Sequence, residues 1–308
     1  MNGFWPRTVG VLGAGALGSL FAYRLATAAR QATGECSEVV LLARSPGPDW
    51  VLAEGQERLS LQRVTNPLKP VDLLVVLVKS YATRGALRWA AGALGPQTVA
   101  LTLQNGLGNA EVLAAVVGPE RVLVGTTAQG ATLMEPGVIR HGGNGPTYIA
   151  PWIRDGPAAD VADRVAALLS EAGIATEVAT DAQRLLWSKL VVNAAINPLT
   201  ALLGLPNGAL LERPSARQMM ERAAREVAGV AAALEIDLGE DPVERTVAVA
   251  RATATNRSSM LQDLQRGRRT EVEAINGAVV ARGQARGVPT PVNEALTLLV
   301  KEMERRRL

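Results

Sequence analysis

The sequence predicts an α/β protein: an N-terminal doubly wound sheet over residues 1–181, then an all-helical domain over 182–308. Three observations predict it. Strand-like apolar runs alternate with helix-like periodicities through the first half, the pattern of βαβ units. After about Asp181 strand signals nearly vanish while helical periodicity continues. The length, 308 residues, suits about two domains.

Each element follows from its residues. Residues 8–12 (T-V-G-V-L) read as a buried strand. Residues 16–32 read as a helix with Leu17, Leu20, Phe21, Leu25 and Ala28 on one face. A second strand is expected at 38–43 (E-V-V-L-L-A). Residues 72–78 (D-L-L-V-V-L-V) are near-continuously apolar, as expected of a parallel strand covered on both faces, and 98–103 (T-V-A-L-T-L) are similar. From 125 to 150, Gly, Thr and Pro punctuate short pieces, including 138–140 and 147–150, expected to extend the sheet as antiparallel strands. A helix at 158–171 and a strand at 174–179 close this half. Further helices are expected at 182–196, 215–235, 242–256, 270–286 and 291–305. The last opens on Thr290-Pro291, an N-cap followed by proline at the first helical position, with Leu296, Leu299, Val300 and Met303 on its buried face. No repeat or low-complexity linker is visible, so the domains should be closely joined, with a cleft between them.

Composition narrows the function. Apolar residues at 48% and charged residues at 20% exclude global disorder. Ten aromatics leave the core to Leu, Val, Ile and Ala. A formal charge of +3 is too small to imply a nucleic-acid partner. Arg305-Arg306-Arg307 reads as a solvated helix end. One cysteine, Cys36, excludes an intrachain disulfide and a multi-cysteine zinc site; one histidine, His141, leaves little for a histidine metal centre. No stretch reaches the roughly 18 apolar residues of a membrane span. Arg7, an apolar run and Ala26-Thr27-Ala28 imitate a signal peptide, but Arg24 and the glycine spacing fit a folded segment better, so a cytoplasmic chain is expected. The 32 basic residues include only four lysines, Lys69, Lys79, Lys189 and Lys301. Each is informative, because guanidinium gives up no proton at a working pH.

Gly13-Ala14-Gly15-Ala16-Leu17-Gly18 is G-x-G-x-x-G, placed between a strand and a helix. In that context the first glycine makes the turn, the second admits a pyrophosphate and the third packs helix on strand. Phosphates then meet the N–H groups that open the helix. The sheet is accordingly expected to be Rossmann-type and to bind a dinucleotide. The second strand ends Leu42-Ala43-Arg44-Ser45, with no acid to take the ribose hydroxyls of NAD. Arg44 suits the 2′-phosphate of NADP instead. The alternative is an ordinary surface arginine.

Several dehydrogenase chemistries are excluded by inventory. Zinc alcohol dehydrogenases need Cys and His ligands that are missing. Short-chain dehydrogenases need Tyr-x-x-x-Lys, but Tyr23, Tyr81 and Tyr148 are followed four residues on by Thr27, Gly85 and Trp152. Lactate-type enzymes use a histidine acid; His141 sits in a Gly-rich segment and reads as structural or solvent-facing. Lysine remains. Lys189, Asn193 and Asn197 recur every four residues on an otherwise apolar helix, which Pro198 is expected to end. Such a polar edge suits a substrate, or is a solvent-facing stripe.

The chain resembles the ketopantoate reductase (2-dehydropantoate 2-reductase) family along nearly its whole length. The most specific matches are W-S-K-L-V-V-N-A-A-I-N-P-L-T-A at 187–201, S-S-M-L-Q-D at 258–263, R-R-T-E-V-E-A-I-N-G-A-V-V at 268–280 and G-V-P-T-P-V-N at 287–293. The first half adds G-A-G-A-L-G at 13–18, V-K-S-Y at 78–81 and Q-N-G-L-G-N at 104–109. The resemblance implies that Lys189 is the general acid that protonates a ketone oxygen and that Glu271 holds lysine and substrate in place. Asn193, Asn197 and Ser259 would hold the substrate's hydroxyl and carboxylate. Lys79 and Asn105 would lie at the cofactor edge, with Asn105 also reaching substrate and Glu271 also facing cofactor. The residues agree: Lys79 and Asn105 each follow an expected strand end, where open α/β sheets bind ligands, and Glu271 is expected to begin a helix, whose dipole favours a carboxylate. Glu273 reads as a surface acid, and residues 1–6 as a tail without functional content.

What the resemblance implies is NADPH-dependent reduction of ketopantoate, a step of pantothenate and coenzyme A synthesis. A relative acting on another 2-keto acid and a non-catalytic NADP-binding regulator are the alternatives. The expected partner is a small 2-keto acid, with no metal, nucleic acid or membrane; a homodimer is compatible with the sequence, which does not fix the assembly.

Overall fold

The order of the sheet decides which loops share an edge. The computed structural model describes residues 6–31 and 38–306; Cys36, Arg307 and residues 1–5 lie outside the described residues. The chain divides into two compact units, Met1–Gln104 with Asn109–Ala182, and Asn105–Gly108 with Gln183–Leu308.

The first unit runs β1 (Thr8–Leu12), α1 (Ala16–Gln31), β2 (Glu38–Leu42), β3 (Trp50–Ala53), β4 (Arg58–Ser60), β5 (Gln62–Val64) and β6 (Leu73–Val76). It continues with α2 (Thr83–Trp89), β7 (Val99–Thr102), α3 (Asn109–Val117), β8 (Val122–Glu135), β9 (Val138–Pro151), α4 (Pro157–Glu171) and β10 (Thr176–Val178). Among the described residues the strands form one sheet, ordered β4-β3-β9-β8-β7-β6-β1-β2-β5, with β10 on β9. From β8 to β5 every pairing is parallel. Those six strands, taken in chain order, give the 3-2-1-4-5-6 arrangement of a Rossmann sheet. β8 and β9 form a long antiparallel hairpin that widens it.

The fully buried strands β6 and β7 explain their unbroken apolar runs. Leu20, Phe21 and Leu25 of α1 join Val165 and Leu169 of α4 in the core of this unit. The short strands β3, β4 and β5 escape the sequence reading, as do α2 and α3.

The second unit holds α5 (Ala182–Leu203), α6 (Pro214–Ala233), α7 (Pro242–Ala252), α8 (Ser259–Gln265), α9 (Ala278–Arg286) and α10 (Pro291–Arg305), with a π-turn at Glu273–Gly277. Four expectations need correction. The first helix does not end at Asn197 but runs through Pro198 to Leu203. At 22 residues it is long and apolar enough to cross a membrane, yet 67% of its apolar window is buried inside the protein, as in a core helix. The helix expected at 270–286 is a bend, a π-turn and α9, because backbone N–H groups here reach back five residues: Gly277 N donates to Val272 O. On α10, Leu299 is 55% exposed; the buried stripe is Asn293, Leu296, Thr297 and Val300. Thr290 does open α10, but its side chain makes no cap bond. Glu226 of α6 does that instead, accepting from Val292 N and Asn293 N at 2.9 Å each.

Candidate active site

In the first unit the β1–α1 turn is built tightly. Gly13 has φ +119°, a region that disfavours L side chains, and a Cβ there would press on the backbone of Val78. A Cβ at Gly18 would overlap the Gly13 carbonyl, so helix and turn touch with nothing between them. Gly15 is the opposite case, with nothing within 4 Å of where its Cβ would stand. That open position is where a pyrophosphate needs to approach backbone, and the first turn of α1 holds no acid to repel it. The glycines therefore fit a dinucleotide.

Arg44 follows β2, is exposed, and makes no hydrogen bond or ion pair with a described residue. Arg63 on β5 was missed by the sequence reading. Its Nε donates to the Ser45 carbonyl at 3.0 Å, holding the loop behind Arg44. Partial burial lowers its pKa from the usual arginine value. Its only signal was position, on a three-residue edge strand that sequence periodicity does not reveal.

Lys79 follows β6 and precedes a 3-10 turn at Ser80–Ala82. Buried Gln104 fastens this stretch, Nε2 donating to Val78 O and Thr83 Oγ1 at 2.7 Å each. The G-x-G turn, Arg44 and Lys79 thus all follow carboxyl ends of parallel strands near the point where strand order reverses, between β1 and β6. His141 lies on β9, half-buried, its Nε2 hydrogen-bonded to Gln129 Oε1 at 2.9 Å.

The second unit assembles the other candidates. Lys189, Asn193 and Asn197 sit on three successive turns of α5. Lys189 is half-buried. Desolvation lowers its pKa to about 8, and the Glu271 carboxylate pulls the other way. Glu271 is 6% exposed, too buried for an ordinary surface acid. It precedes the π-turn rather than beginning a helix. Asn105 Nδ2 donates to Glu271 Oε2 at 3.3 Å.

The π-turn explains how Asn105 gets there. Its Ala274 carbonyl accepts from Leu107 N at 2.9 Å, which docks the 105–108 loop. Gly106, at φ +80°, is the residue that allows the approach, since a Cβ there would overlap the Ala274 carbonyl. Ser258 caps α8, its Oγ accepting from Leu261 N at 3.1 Å and from Thr200 Oγ1 at 2.7 Å. Ser259 is left exposed on the first turn. The side chains of Asn193, Asn197 and Ser259 make no hydrogen bond to a described residue. Glu273 is exposed and pairs with Lys301. Among the described residues no group of three His, Cys, Asp or Glu side chains could hold a metal ion.

A proton donor, a buried carboxylate, an asparagine oriented on it and free amides one and two turns away is an arrangement that can bind a carbonyl compound and protonate its oxygen. The comparisons with known proteins point the same way. Residues 9–154 match the family model described as ketopantoate reductase PanE/ApbA, and residues 181–304 the model described as ketopantoate reductase PanE/ApbA C terminal. The chain is 45% identical over 303 residues to a 2-dehydropantoate 2-reductase of Halobacterium salinarum, covering 96% of this chain and 98% of that one. Among solved structures it is similar to a PanE/ApbA family ketopantoate reductase of Ralstonia eutropha (TM-score 0.85, 30% identity, 97% and 99% of the two chains). It is also similar to a D-mandelate dehydrogenase solved with NADH and anilino(oxo)acetate (TM-score 0.87, 26% identity, 97% and 99%).

Proposed function

This chain belongs to the ketopantoate reductase family, and from that premise we infer that it reduces 2-dehydropantoate (ketopantoate) to pantoate with NADPH. The observation that carries the reading is Lys189, desolvated to a pKa of about 8 and within electrostatic reach of Glu271, on a helix that presents two uncommitted amides.

NADPH supplies the hydride. As a ketone is reduced its oxygen gains negative charge, and Lys189 gives that oxygen a proton. A pKa of about 8 keeps the ammonium protonated at neutral pH while making it a better donor than an ordinary lysine. Glu271 keeps the charged form from being lost to desolvation altogether, and Asn105 fixes which way the carboxylate faces. Asn193, Asn197 and Ser259 hold the substrate's hydroxyl and carboxylate. Residues 1–181 take the cofactor: Gly13–Gly18 the pyrophosphate and Arg44 the 2′-phosphate, with Lys79 and Asn105 as further cofactor contacts; Glu271 is assigned a cofactor contact as well. A cytoplasmic homodimer completes the proposal; sedimentation equilibrium tests the dimer.

A second reading, reduction of another 2-keto acid with NADH, is favoured by the likeness to D-mandelate dehydrogenase. One experiment separates them: steady-state oxidation of NADPH and of NADH with ketopantoate, pyruvate, 2-ketoisovalerate and an aryl 2-keto acid. The proposal expects the highest kcat/KM for NADPH with ketopantoate. Preference for the aryl acid or NADH overturns it in favour of the second reading, and no turnover with any pair leaves a non-catalytic binder.

A further inference from the structure

Pro198 sits inside α5 without ending it. Proline has no N–H, so the carbonyl four residues back, Ala194, loses its helical donor. Ala194 is wholly buried, and a buried carbonyl needs a partner. Asn276 supplies it from the π-turn, its Nδ2 donating to Ala194 O at 2.9 Å. The same Nδ2 donates to Asn293 Oδ1 on α10, also at 2.9 Å. Asn293 is in turn held by its own Nδ2, which donates to the Ala223 carbonyl at 3.2 Å and to Glu226 Oε2 at 2.8 Å.

Asn276 and Asn293 are both wholly buried. Both amide hydrogens of Asn276 are committed, whereas its Oδ1 has no partner among the described residues. The side chain is thus held for its two donors, at the expense of its acceptor. Its backbone belongs to the turn that follows Glu271, where Ala274 N and Ile275 N both donate to Glu271 O at 3.0 Å. One side chain therefore joins the helix of Lys189, the turn of Glu271 and the last helix.

We propose that Asn276 is a positioning residue for the reduction: its buried amide pins the proline-containing helix that carries Lys189, Asn193 and Asn197 to the turn that carries Glu271. This rests on the reading of Lys189 and Glu271 as the reacting pair. Wholly buried and bonded to Ala194 O and Asn293 Oδ1, Asn276 acts through the groups it joins, setting the spacing of those proposed to meet the substrate. A misplacement of about 1 Å costs on the order of a hundredfold in rate.

The test uses Asn276→Ala, Pro198→Ala and the double variant. Alanine at 198 restores an N–H that can satisfy Ala194 O without Asn276. If Asn276 only satisfies that carbonyl, Pro198→Ala restores both thermal stability and kcat to the double variant, and the proposal is overturned. If Asn276 positions the helix, Asn276→Ala lowers kcat by roughly 10- to 100-fold with a smaller change in KM, and Pro198→Ala restores Tm but not kcat. A second readout needs no substrate. The chain has four lysines, so ¹³C-lysine labelling resolves the Lys189 titration by NMR. Asn276→Ala changes both the burial of Lys189 and its distance from Glu271, and so moves its titration away from about 8; an unmoved titration overturns the proposal. A wild-type protein inactive on every 2-keto acid defeats the proposed function but leaves this titration to decide the positioning. Should Asn276→Ala fail to fold, the near-isosteric Asn276→Leu carries the same readouts.

Discussion

A lysine partly withdrawn from water beside a carboxylate feels two opposed pulls on its proton. At Lys189 desolvation is the larger, and the pKa falls to about 8. The ammonium form is the acid a ketone reduction needs. The reduction rate should therefore be level at neutral pH and decline above about pH 8, while oxidation of the alcohol, which needs the free amine, should rise over the same interval. Initial rates in both directions check this; a reduction rate level through pH 8 and beyond takes the acid role from Lys189. Lys189→Arg sharpens the assignment. It keeps the charge and cannot readily surrender a proton, so kcat should drop about 10²- to 10⁴-fold while substrate KM changes little. Recovery of most activity would make Lys189 an anion anchor only. Gly106 makes a different demand, for space. Gly106→Ala puts a Cβ into the Ala274 carbonyl and an L residue at φ +80°. The 105–108 loop should lift, Asn105 should leave Glu271, and kcat should fall roughly 100-fold, with the circular dichroism spectrum unchanged. Wild-type kcat in that variant would show that Asn105 does not orient the carboxylate.

At the scale of the element, Glu271 is clamped on both flanks by α10. Glu304 Oε1 accepts from Thr270 N at 2.6 Å and from Thr270 Oγ1 at 2.5 Å, and Lys301 pairs with Glu273. Thr270 is buried, so Glu304→Ala leaves two donors unmet and should destabilise the fold by about 1–3 kcal/mol. Glu304→Gln keeps the Oε1 acceptor and should recover most of that. Thermal melts give the stability order wild type, Gln, Ala, and kcat should follow it; equal Tm for all three would mean the last helix does not hold this turn. Such clamps also mark how far the sequence could be read. β1, β2, β6 and β7 were legible because strands buried on both faces are written as apolar runs. β4 (R-L-S) and β5 (Q-R-V) were not, being three residues each at the two ends of the sheet. The end of α5 was misread because the rule that proline stops a helix is local, while the donor that overrides it lies 82 residues away. Likewise Lys189, Asn193 and Asn197 were visible by spacing, but the burial of Glu271 and the π-turn that brings Asn105 to it come from tertiary packing that no period records.

At the scale of the whole molecule the proposal is a division of labour: cofactor recognition in residues 1–181, proton transfer in 182–308. The fold by itself does not choose the cofactor, since the sheet edge offers the same glycine turn to either dinucleotide. The choice falls to the residue after β2. Arg44 is exposed, has no partner among the described residues, and stands on a loop held by Arg63. A charge-assisted contact to a phosphate contributes roughly 1.5–3 kcal/mol, or about tenfold to more than a hundredfold in affinity. Arg44→Ala should weaken NADPH by that order and leave NADH binding little changed; equal loss for both would make Arg44 structural. Lys189→Ala should leave NADPH affinity as it is while turnover collapses. If the labour is divided, the two effects on cofactor affinity are independent, and the double variant should bind NADPH as Arg44→Ala alone does, within about 0.5 kcal/mol. Calorimetric titration of the four proteins closes this cycle without reference to activity. A coupling well beyond that margin would mean that Lys189 and Arg44 act on the cofactor through a shared element, and cofactor recognition could no longer be assigned to residues 1–181 alone.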